Sequence, residues 1–147
     1  MWKGVFPAVT TKFLSDDSLD HREMERCFAL QVEAGVDGLI IAGSLGEGPM
    51  LSSEEKLAVF QTAKSVAGKL PVLMTINDAG TREAEAMARA SARAGADGLM
   101  VVPSMVYHTN PVETVATLND VANAGGLPVM IYSNRIGIFS RYMNFYS

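Results

Sequence analysis

A glycine-rich turn carries the first candidate chemistry of the chain. The stretch IIAGSLGEGPMLSSEEK, residues 40–56, runs from an apolar segment through Gly43, Gly46 and Gly48 into a helix start. Its spacing, G-x-x-G-x-G, is neither the dinucleotide pattern G-x-G-x-x-G nor a P-loop, because no Lys–Ser/Thr pair ends it. Backbone N–H groups in such a turn can face a small anion, and Ser44 adds a hydroxyl. The pattern leaves two interpretations open, a small-anion site and a tight turn without chemistry.

Two tyrosines could act together with Ser44. Tyr132 closes the apolar stretch PVMIY, and Tyr107 lies in the segment PSMVYHTNP. A hydroxyl and phenols gathered at one mouth of a sheet could relay a proton. On spacing alone, the Tyr132 OH could equally lie in water. Tyr107 is the weaker candidate, because tyrosines are common in loops. The two histidines lie far apart without a Cys or carboxylate cluster, so we expect no metal site and no cofactor.

Two repeated sequence phrases indicate the architecture that would position these residues. EAGVDGLII at 33–41 returns as RAGADGLMV at 93–101, and AGKLPV at 67–72 returns as AGGLPV at 124–129. The phrases alternate about every 30 residues, which is the length of a strand–helix unit. The predicted strands are 4–10, 37–43, 71–76, 97–102 and 128–132. The predicted helices are 20–34, 53–67, 82–94 and 111–124.

The alternation of two unit types favours an α/β barrel over a doubly wound sheet. In a (β/α)8 barrel, odd and even strands fill different interior layers, which gives a two-unit repeat a physical reason. The chain supplies four units and a fifth strand of the eight that a barrel needs. We therefore predict an incomplete (β/α)8 TIM barrel with a parallel sheet, of about four and a half units, over residues 1–137. The aromatic-rich residues 138–147 are interpreted as an aberrant or non-homologous tail.

The composition argues against several classes of protein. The 147 residues carry a formal net charge of −4, and the basic residues are scattered, so no nucleic-acid surface is expected. No apolar run approaches the ~18 residues of a membrane span. The amino terminus makes a poor signal peptide. The single cysteine, Cys27, fits a reducing compartment, and we expect a cytoplasmic protein.

These motifs together resemble the dihydrodipicolinate synthase / N-acetylneuraminate lyase family. GSLGEGPMLSSEEK is similar to that family's G-[ST]-x-G-E loop, and PVMIYSN resembles its fifth strand, whose tyrosine is catalytic. The opening GVFPAVTTKF, the phrase AGVDGL and a tyrosine in the fourth loop follow in the same order. The resemblance covers about residues 2–135.

The resemblance implies a Schiff-base lyase or aldolase that acts on pyruvate or another 2-oxo acid. In such enzymes a lysine amine attacks the keto carbon. The backbone amides of Ser44 and Leu45, next to Gly43, would hold the substrate carboxylate. The Ser44 hydroxyl would pass protons to Tyr132, which would serve as acid and base. Tyr107 would belong to the relay of a neighbouring subunit, because family members commonly form homo-oligomers.

The chain departs from the family at the nucleophile. By resemblance, the family's lysine lies on a sixth strand, beyond residue 147. The five lysines present are Lys3, Lys12, Lys56, Lys64 and Lys69. Lys12 alone is expected near the mouth, and no motif supports it as a nucleophile. We therefore expect a truncated member, without a Schiff-base lysine, that is inactive alone; the second substrate, and whether the reaction is that of a synthase, an aldolase or a sugar-acid dehydratase, stay open.

Two alternatives belong to other classes of function. An open five-stranded piece leaves strand edges and an apolar interior uncovered, which is typical of a non-catalytic half-barrel that assembles with itself or a partner. A barrel fragment that binds phosphate is the second alternative. Phosphate barrels, however, usually place that site after strands seven and eight.

Overall fold

Four parallel strands lie side by side in the order in which they occur along the chain. The computed structural model describes residues 2–103 and 110–132. The strands are β1 (Leu39–Ile41), β2 (Val72–Ile76), β3 (Gly98–Val101) and β4 (Val129–Ile131). The register pairs Leu39 with Val72, Leu73 with Gly98, and Leu99 with Val129. Parallel neighbours require a crossover between each pair of strands, and helices provide it.

The four described helices agree with the predicted helices to within one residue at each end. They are α1 (His21–Glu33), α2 (Ser53–Ala67), α3 (Thr81–Ala94) and α4 (Pro111–Gly125). Local capping explains the agreement, because Ser52 and Glu55 form the predicted capping box at the start of α2. Asn110 and Glu113 form a second box at α4, which the sequence analysis missed. Each box satisfies two backbone N–H groups that a helix start otherwise leaves unpaired.

The prediction of a regular strand over residues 4–10 is wrong. This segment forms a single parallel bridge, between Ala8 and Ile40. Its ladder consists of Val9 N–H donating to the Ile40 carbonyl and Ile40 N–H donating to the Pro7 carbonyl, both at 3.0 Å. Pro7 has no N–H to donate, and Gly4 adopts a φ of 93°, so regular pairing does not extend toward the amino terminus. The segment nevertheless occupies the place of a first strand beside β1.

The two faces of the sheet have different partners, and this difference separates a barrel from a doubly wound fold. One face packs on the described helices, and its core includes Phe28, Phe60 and Met87. The other face forms a separate cluster of Ile40, Leu73 and Met100, with Trp2, Phe6 and Met130 packed against it. None of the described helices contributes to that second cluster. A doubly wound sheet has helices on both faces, whereas the present arrangement is that of a barrel wall.

Aromatic rings cover the amino end of the sheet's inner face. Trp2 and Phe6 lie with ring centroids 6.4 Å apart. A Cβ atom at Gly98 would collide with the Trp2 ring, and one at Gly38 would collide with the Phe6 ring. The repeated Asp-Gly-Leu phrase therefore has a packing reason, because only glycine leaves room for these rings.

The aspartates of the same phrase also have a structural role at this end. The Asp37 carboxylate accepts a hydrogen bond from Val5 N–H at 2.7 Å, and the Asp97 carboxylate accepts one from Val72 N–H at 2.9 Å. In both cases the aspartate precedes a strand and binds the backbone of the neighbouring segment. Lys64 adds an ion pair to Asp97 at 3.0 Å. The aspartates of the repeated phrase thus make stabilising contacts at the amino end of the sheet.

Candidate functional site

The carboxyl end of β1 continues into the glycine loop, which we define as residues 42–50. Gly48 N–H donates to the Gly43 carbonyl at 3.0 Å, and Glu47 N–H donates to the Ser44 carbonyl at 3.2 Å. The loop ends in a short 3-10 helix, Gly48–Met50, two residues before α2 begins. A loop at the carboxyl end of a parallel strand lies where α/β proteins place their sites.

Close backbone packing explains two of the three glycines. A Cβ atom at Gly46 would lie 2.7 Å from the Val9 carbonyl oxygen, and one at Gly48 would collide with the Ala42 carbonyl. The Thr11 hydroxyl donates to the Gly46 carbonyl at 2.6 Å and ties the loop to the first extended segment. These contacts make the loop a tightly packed turn. Gly43 has ordinary space around it.

The tip of the glycine loop is open to ligands. Ser44 is exposed, and the Leu45 side chain is 65% exposed. No oxygen within residues 2–103 or 110–132 accepts a hydrogen bond from the backbone N–H of either residue. Adjacent unpaired backbone N–H groups in a turn can bind an anion such as a carboxylate. The turn and the anion site are therefore compatible in the same loop.

Tyr132 was predicted to end a strand over 128–132, and in the structure it directly follows β4, at the carboxyl end of the sheet. Its N–H donates to the Val101 carbonyl at 2.9 Å and so extends the pairing of β3 with β4. Because side chains alternate along a strand, Tyr132 shares a face with Met130, which packs on the inner cluster. The residue is 45% exposed. Alternation along the strand therefore predicts that its phenol lies on the inner face, at the carboxyl end of the sheet.

Ser44 and Tyr132 share one end of the sheet and lie at different strands. β1 and β4 are separated by β2 and β3, which corresponds to roughly 14 Å along the sheet at about 4.8 Å per strand. Curvature of a barrel wall shortens the direct line between them. Both residues therefore lie at the carboxyl end of the sheet, three strand positions apart.

Thr75 is a residue of this mouth that sequence reasoning missed. It lies on β2 in register with Met100, which is part of the inner cluster, and it is fully buried. Its hydroxyl has no hydrogen-bond partner among the described residues. The atom lies 3.7 Å from the position that a Cβ of Gly43 would occupy. A lone hydroxyl residue within the apolar stretch PVLMTI was the available signal.

Lys56 is the second residue that the sequence analysis missed. It is only 3% exposed, and its ammonium contacts Asp78 at 2.8 Å. The signal was helical periodicity, because Lys56 falls on the buried face of α2 together with Val59, Phe60 and Ala63. Its partner lies 22 residues away along the chain and could not be identified from spacing.

Tyr107 and the tail over residues 138–147 lie outside the described residues. The assignment of Tyr107 to a proton relay therefore stays a prediction, as does the boundary at residue 137.

Within the described ranges, no helix combines the length and apolar character needed to cross a bilayer. In the same ranges, no three His, Cys, Asp or Glu side chains gather as metal ligands could.

Comparison with known proteins identifies the family. Residues 1–136 match the dihydrodipicolinate synthetase family. The chain belongs to that family. It is 33% identical over 136 residues to the 4-hydroxy-tetrahydrodipicolinate synthase of Salinibacter ruber. This match covers 90% of the present chain and 44% of that protein. The chain thus spans less than half the length of this dihydrodipicolinate synthetase relative.

Solved structures of this synthetase family extend the likeness to the fold. YagE, a prophage protein from E. coli K12 whose crystal structure contains pyruvate, superposes with a TM-score of 0.86 at 31% identity. The match covers 91% of this chain and 45% of YagE. A catalytic lysine mutant of the Ruminococcus gnavus sialic acid aldolase superposes with a TM-score of 0.83 at 25% identity, covering 90% of this chain and 44% of the aldolase. The fold is therefore that of an incomplete TIM barrel, and the similar proteins include a synthase and an aldolase.

Proposed function

We propose that these residues form the substrate-binding and proton-transfer part of a lyase or aldolase site for pyruvate or a related 2-oxo acid. The observation that carries the proposal is the exposed Ser44–Leu45 tip, where two backbone N–H groups lack acceptors among the described residues. A carboxylate binds such a pair of donors with charge-assisted hydrogen bonds. Membership of a lyase and aldolase family and the pyruvate bound to YagE support this choice of ligand.

Each residue of the site has a proposed role. The amides of Ser44 and Leu45, next to Gly43, hold the carboxylate of the 2-oxo acid. The Ser44 hydroxyl passes protons toward the Tyr132 phenol, which acts as acid and base at the keto carbon. Tyr107 completes the relay from a neighbouring subunit.

The nucleophile is proposed to come from outside these 147 residues. Lys56 is buried in an ion pair with Asp78, and an engaged ammonium cannot attack a keto carbon. Lys64 is paired with Asp97, next to the amino end of the sheet. Lys12 is partly buried in the segment before α1, and no motif supports it as a nucleophile. Lys3 and Lys69 are exposed and lie at the amino ends of their segments.

A trapping experiment tests the missing nucleophile. Sodium borohydride reduces an iminium to a stable amine, so a Schiff base with pyruvate would leave a fixed mass increase on one lysine. We expect no adduct after the 147-residue chain is treated with pyruvate and borohydride. A pyruvyl adduct on any of its five lysines, mapped by peptide mass spectrometry, would overturn this part of the proposal.

A titration tests the carboxylate site separately from the chemistry. Pyruvate should shift the backbone amide resonances of Ser44 and Leu45 in a 1H–15N correlation spectrum. Leu45→Pro removes the residue-45 donor and its resonance, so the pyruvate-dependent shift of Ser44 should disappear. The matched control Leu45→Ala should retain the shifts at both positions. Unchanged resonances of β2 and β3 would confirm that both variants fold. If phosphate shifts these amides and pyruvate does not, the phosphate-binding alternative replaces the 2-oxo acid site.

A second candidate function, self-assembly, has a specific observation in its favour. Apolar side chains at the β4 and α4 edge are exposed: Ile131 by 55%, Val112 by 78% and Val115 by 52%. No described strand pairs with the outer edge of β4. A free strand edge with exposed apolar neighbours favours association with another copy. Sedimentation should show a dimer or larger species that Ile131→Lys shifts toward monomer. A dilute, stable monomer of the unmodified chain would contradict it.

A further inference from the structure

A buried lysine of α2 contacts the two residues that follow β2, and one of these residues is hydrogen-bonded to the glycine loop. The Lys56 ammonium donates to the Asp78 carboxylate at 2.8 Å and to the side-chain carbonyl of Asn77 at 3.4 Å. The Lys56 side chain is 4% exposed and that of Asp78 is 15% exposed. A lysine is rarely buried so deeply unless it is paired. The position therefore calls for an explanation beyond a solvent-facing ion pair.

The Asn77 side chain connects this lysine to the loop. Its amide nitrogen donates to the Ala42 carbonyl at 3.1 Å, while its carbonyl oxygen faces the Lys56 ammonium. A carboxamide has one accepting end and one donating end. A cation at one end therefore fixes which end faces the loop. Without the cation, the amide could turn and present an oxygen to the oxygen of Ala42.

Ala42 is the residue at which the chain leaves β1 and enters the glycine loop. It adopts a φ of 53°, in the left-handed region that an alanine rarely occupies. Its carbonyl shares one rigid peptide plane with Gly43 N–H. Gly48 packs closely against the same carbonyl, next to the Asn77 amide nitrogen. A contact that holds the Ala42 oxygen therefore also sets the direction in which the loop starts.

We propose that Lys56 is a positioning residue that acts through Asn77 to hold the Ala42–Gly43 peptide, and with it the glycine loop. The lysine makes no contact with a substrate in this role. The consequence for ligand binding rests on the proposed function, because the loop's exposed N–H groups are the proposed carboxylate site. A preorganised loop loses less conformational entropy when a ligand binds.

Hydrogen exchange of the loop amides tests the clamp directly. The reporters are Gly48 N–H and Glu47 N–H, which are bonded within the loop. In Lys56→Met, we expect these amides to exchange roughly tenfold faster or more, a coupling of the size that contacting residues show, while the amides of β2 and β3 keep their protection. Lys64→Met is the matched control, since it removes a lysine of the same helix whose partner Asp97 lies at the other end of the sheet, and it should leave the loop unchanged.

A second variant keeps the test decisive if Lys56→Met does not fold. Asn77→Ala leaves the pair of Lys56 and Asp78 intact and removes only the link to Ala42. It should accelerate exchange in the loop to the same extent. In the double variant, the two effects should not add. Additive effects, a loop unchanged in Asn77→Ala, or an equal loss of protection throughout the sheet would each overturn the proposal.

Pyruvate titrations separate this proposal from the proposed function. If both hold, the pyruvate-dependent shifts at Ser44 and Leu45 need higher pyruvate concentrations in Asn77→Ala than in the unmodified chain. If the unmodified chain shows no pyruvate shifts while its loop loosens in Asn77→Ala, the proposed function fails and the clamp stands. If pyruvate binds equally to both chains and the loop stays protected, the clamp fails and the carboxylate site stands.

Discussion

The two ends of the sheet are built from different kinds of contact. At the amino end, Gly38 and Gly98 lie against aromatic rings, and Asp37 and Asp97 accept hydrogen bonds from neighbouring backbone. At the carboxyl end, Ala42 has a left-handed backbone. Among the described residues, the buried Thr75 hydroxyl has no partner and the Ser44 and Leu45 N–H groups have no acceptor. The first set of contacts stabilises the barrel wall. The second set tolerates unfavourable groups where a ligand would bind, which is the division expected of a TIM barrel.

The repeated sequence phrase lies at the amino end of the sheet, where the contacts stabilise the fold. The repeated phrase AG-x-DGL places a helix end, an aspartate and a glycine at the start of β1 and again at the start of β3. Its residues explain packing and backbone pairing, and none of them contributes to the glycine loop. The repeat thus indicated the fold correctly and carried no information about the site.

The comparison predicts that crowding the amino end has the largest effect on stability. Gly98→Ala would push a Cβ into the Trp2 ring and to 3.0 Å from the Pro128 carbonyl oxygen. Overpacking of this kind costs about 1–3 kcal/mol of unfolding free energy, measured by urea titration. Trp2→Ala in the same chain should recover part of the loss. An equal loss with and without the Trp2 ring would contradict the packing account of the repeat.

Removing an amino-end aspartate should have the next largest effect. Asp97→Ala leaves the N–H of buried Val72 without its acceptor, which costs about 1–3 kcal/mol. Lys64→Met is the control, because it removes only the partly exposed ion pair of the same aspartate and should cost less than about 1 kcal/mol. Thermal unfolding of both variants provides the measurement. Equal losses would assign the role of Asp97 to its ion pair.

At the carboxyl end, one substitution should stabilise the chain. Thr75→Val replaces a buried, unpaired hydroxyl with a methyl group of similar shape, so we expect a gain of about 1 kcal/mol in unfolding free energy. Thr75→Ser is the control, since it keeps the hydroxyl and loses a buried methyl, and it should lower stability. A loss of stability in Thr75→Val would break the contrast between the two ends.

The surface ion pair of Glu23 and Arg26 lies away from both ends of the sheet, and we expect it to contribute least to the stability of the chain. The hydrogen bond from Arg26 lowers the pKa of Glu23 from 4.5 to about 2. Because the folded-state pKa is depressed, the contribution of this pair is present above pH 4.5 and is lost as the pH falls toward 2. Urea titrations of Glu23→Gln and the unmodified chain should therefore converge between these pH values. A difference that grows on acidification would contradict the assignment.

The elements whose boundaries follow from local chemistry could be predicted from the sequence. Ser52 and Glu55 set the start of α2, and glycines at 35, 95 and 126 end helices with positive φ angles. The exception was the segment 4–10, where Pro7 lacks a donor and regular pairing fails. The hydrophobic pattern and the helix caps depend on residues a few positions apart. Both can therefore be recognised in the sequence without knowledge of the tertiary fold.

What the sequence by itself determined was therefore the parallel α/β wall, its helix boundaries, and the placement of Ser44 and Tyr132 after two of its strands. Only the tertiary structure decided that Lys56 pairs with Asp78 and contacts Asn77, that Asn77 holds the Ala42 carbonyl, and that the Thr75 hydroxyl has no partner among the described residues. These features depend on the register between β1 and β2 and on the packing of α2. Such contacts join residues 21 to 35 positions apart, and no local pattern in the chain encodes them.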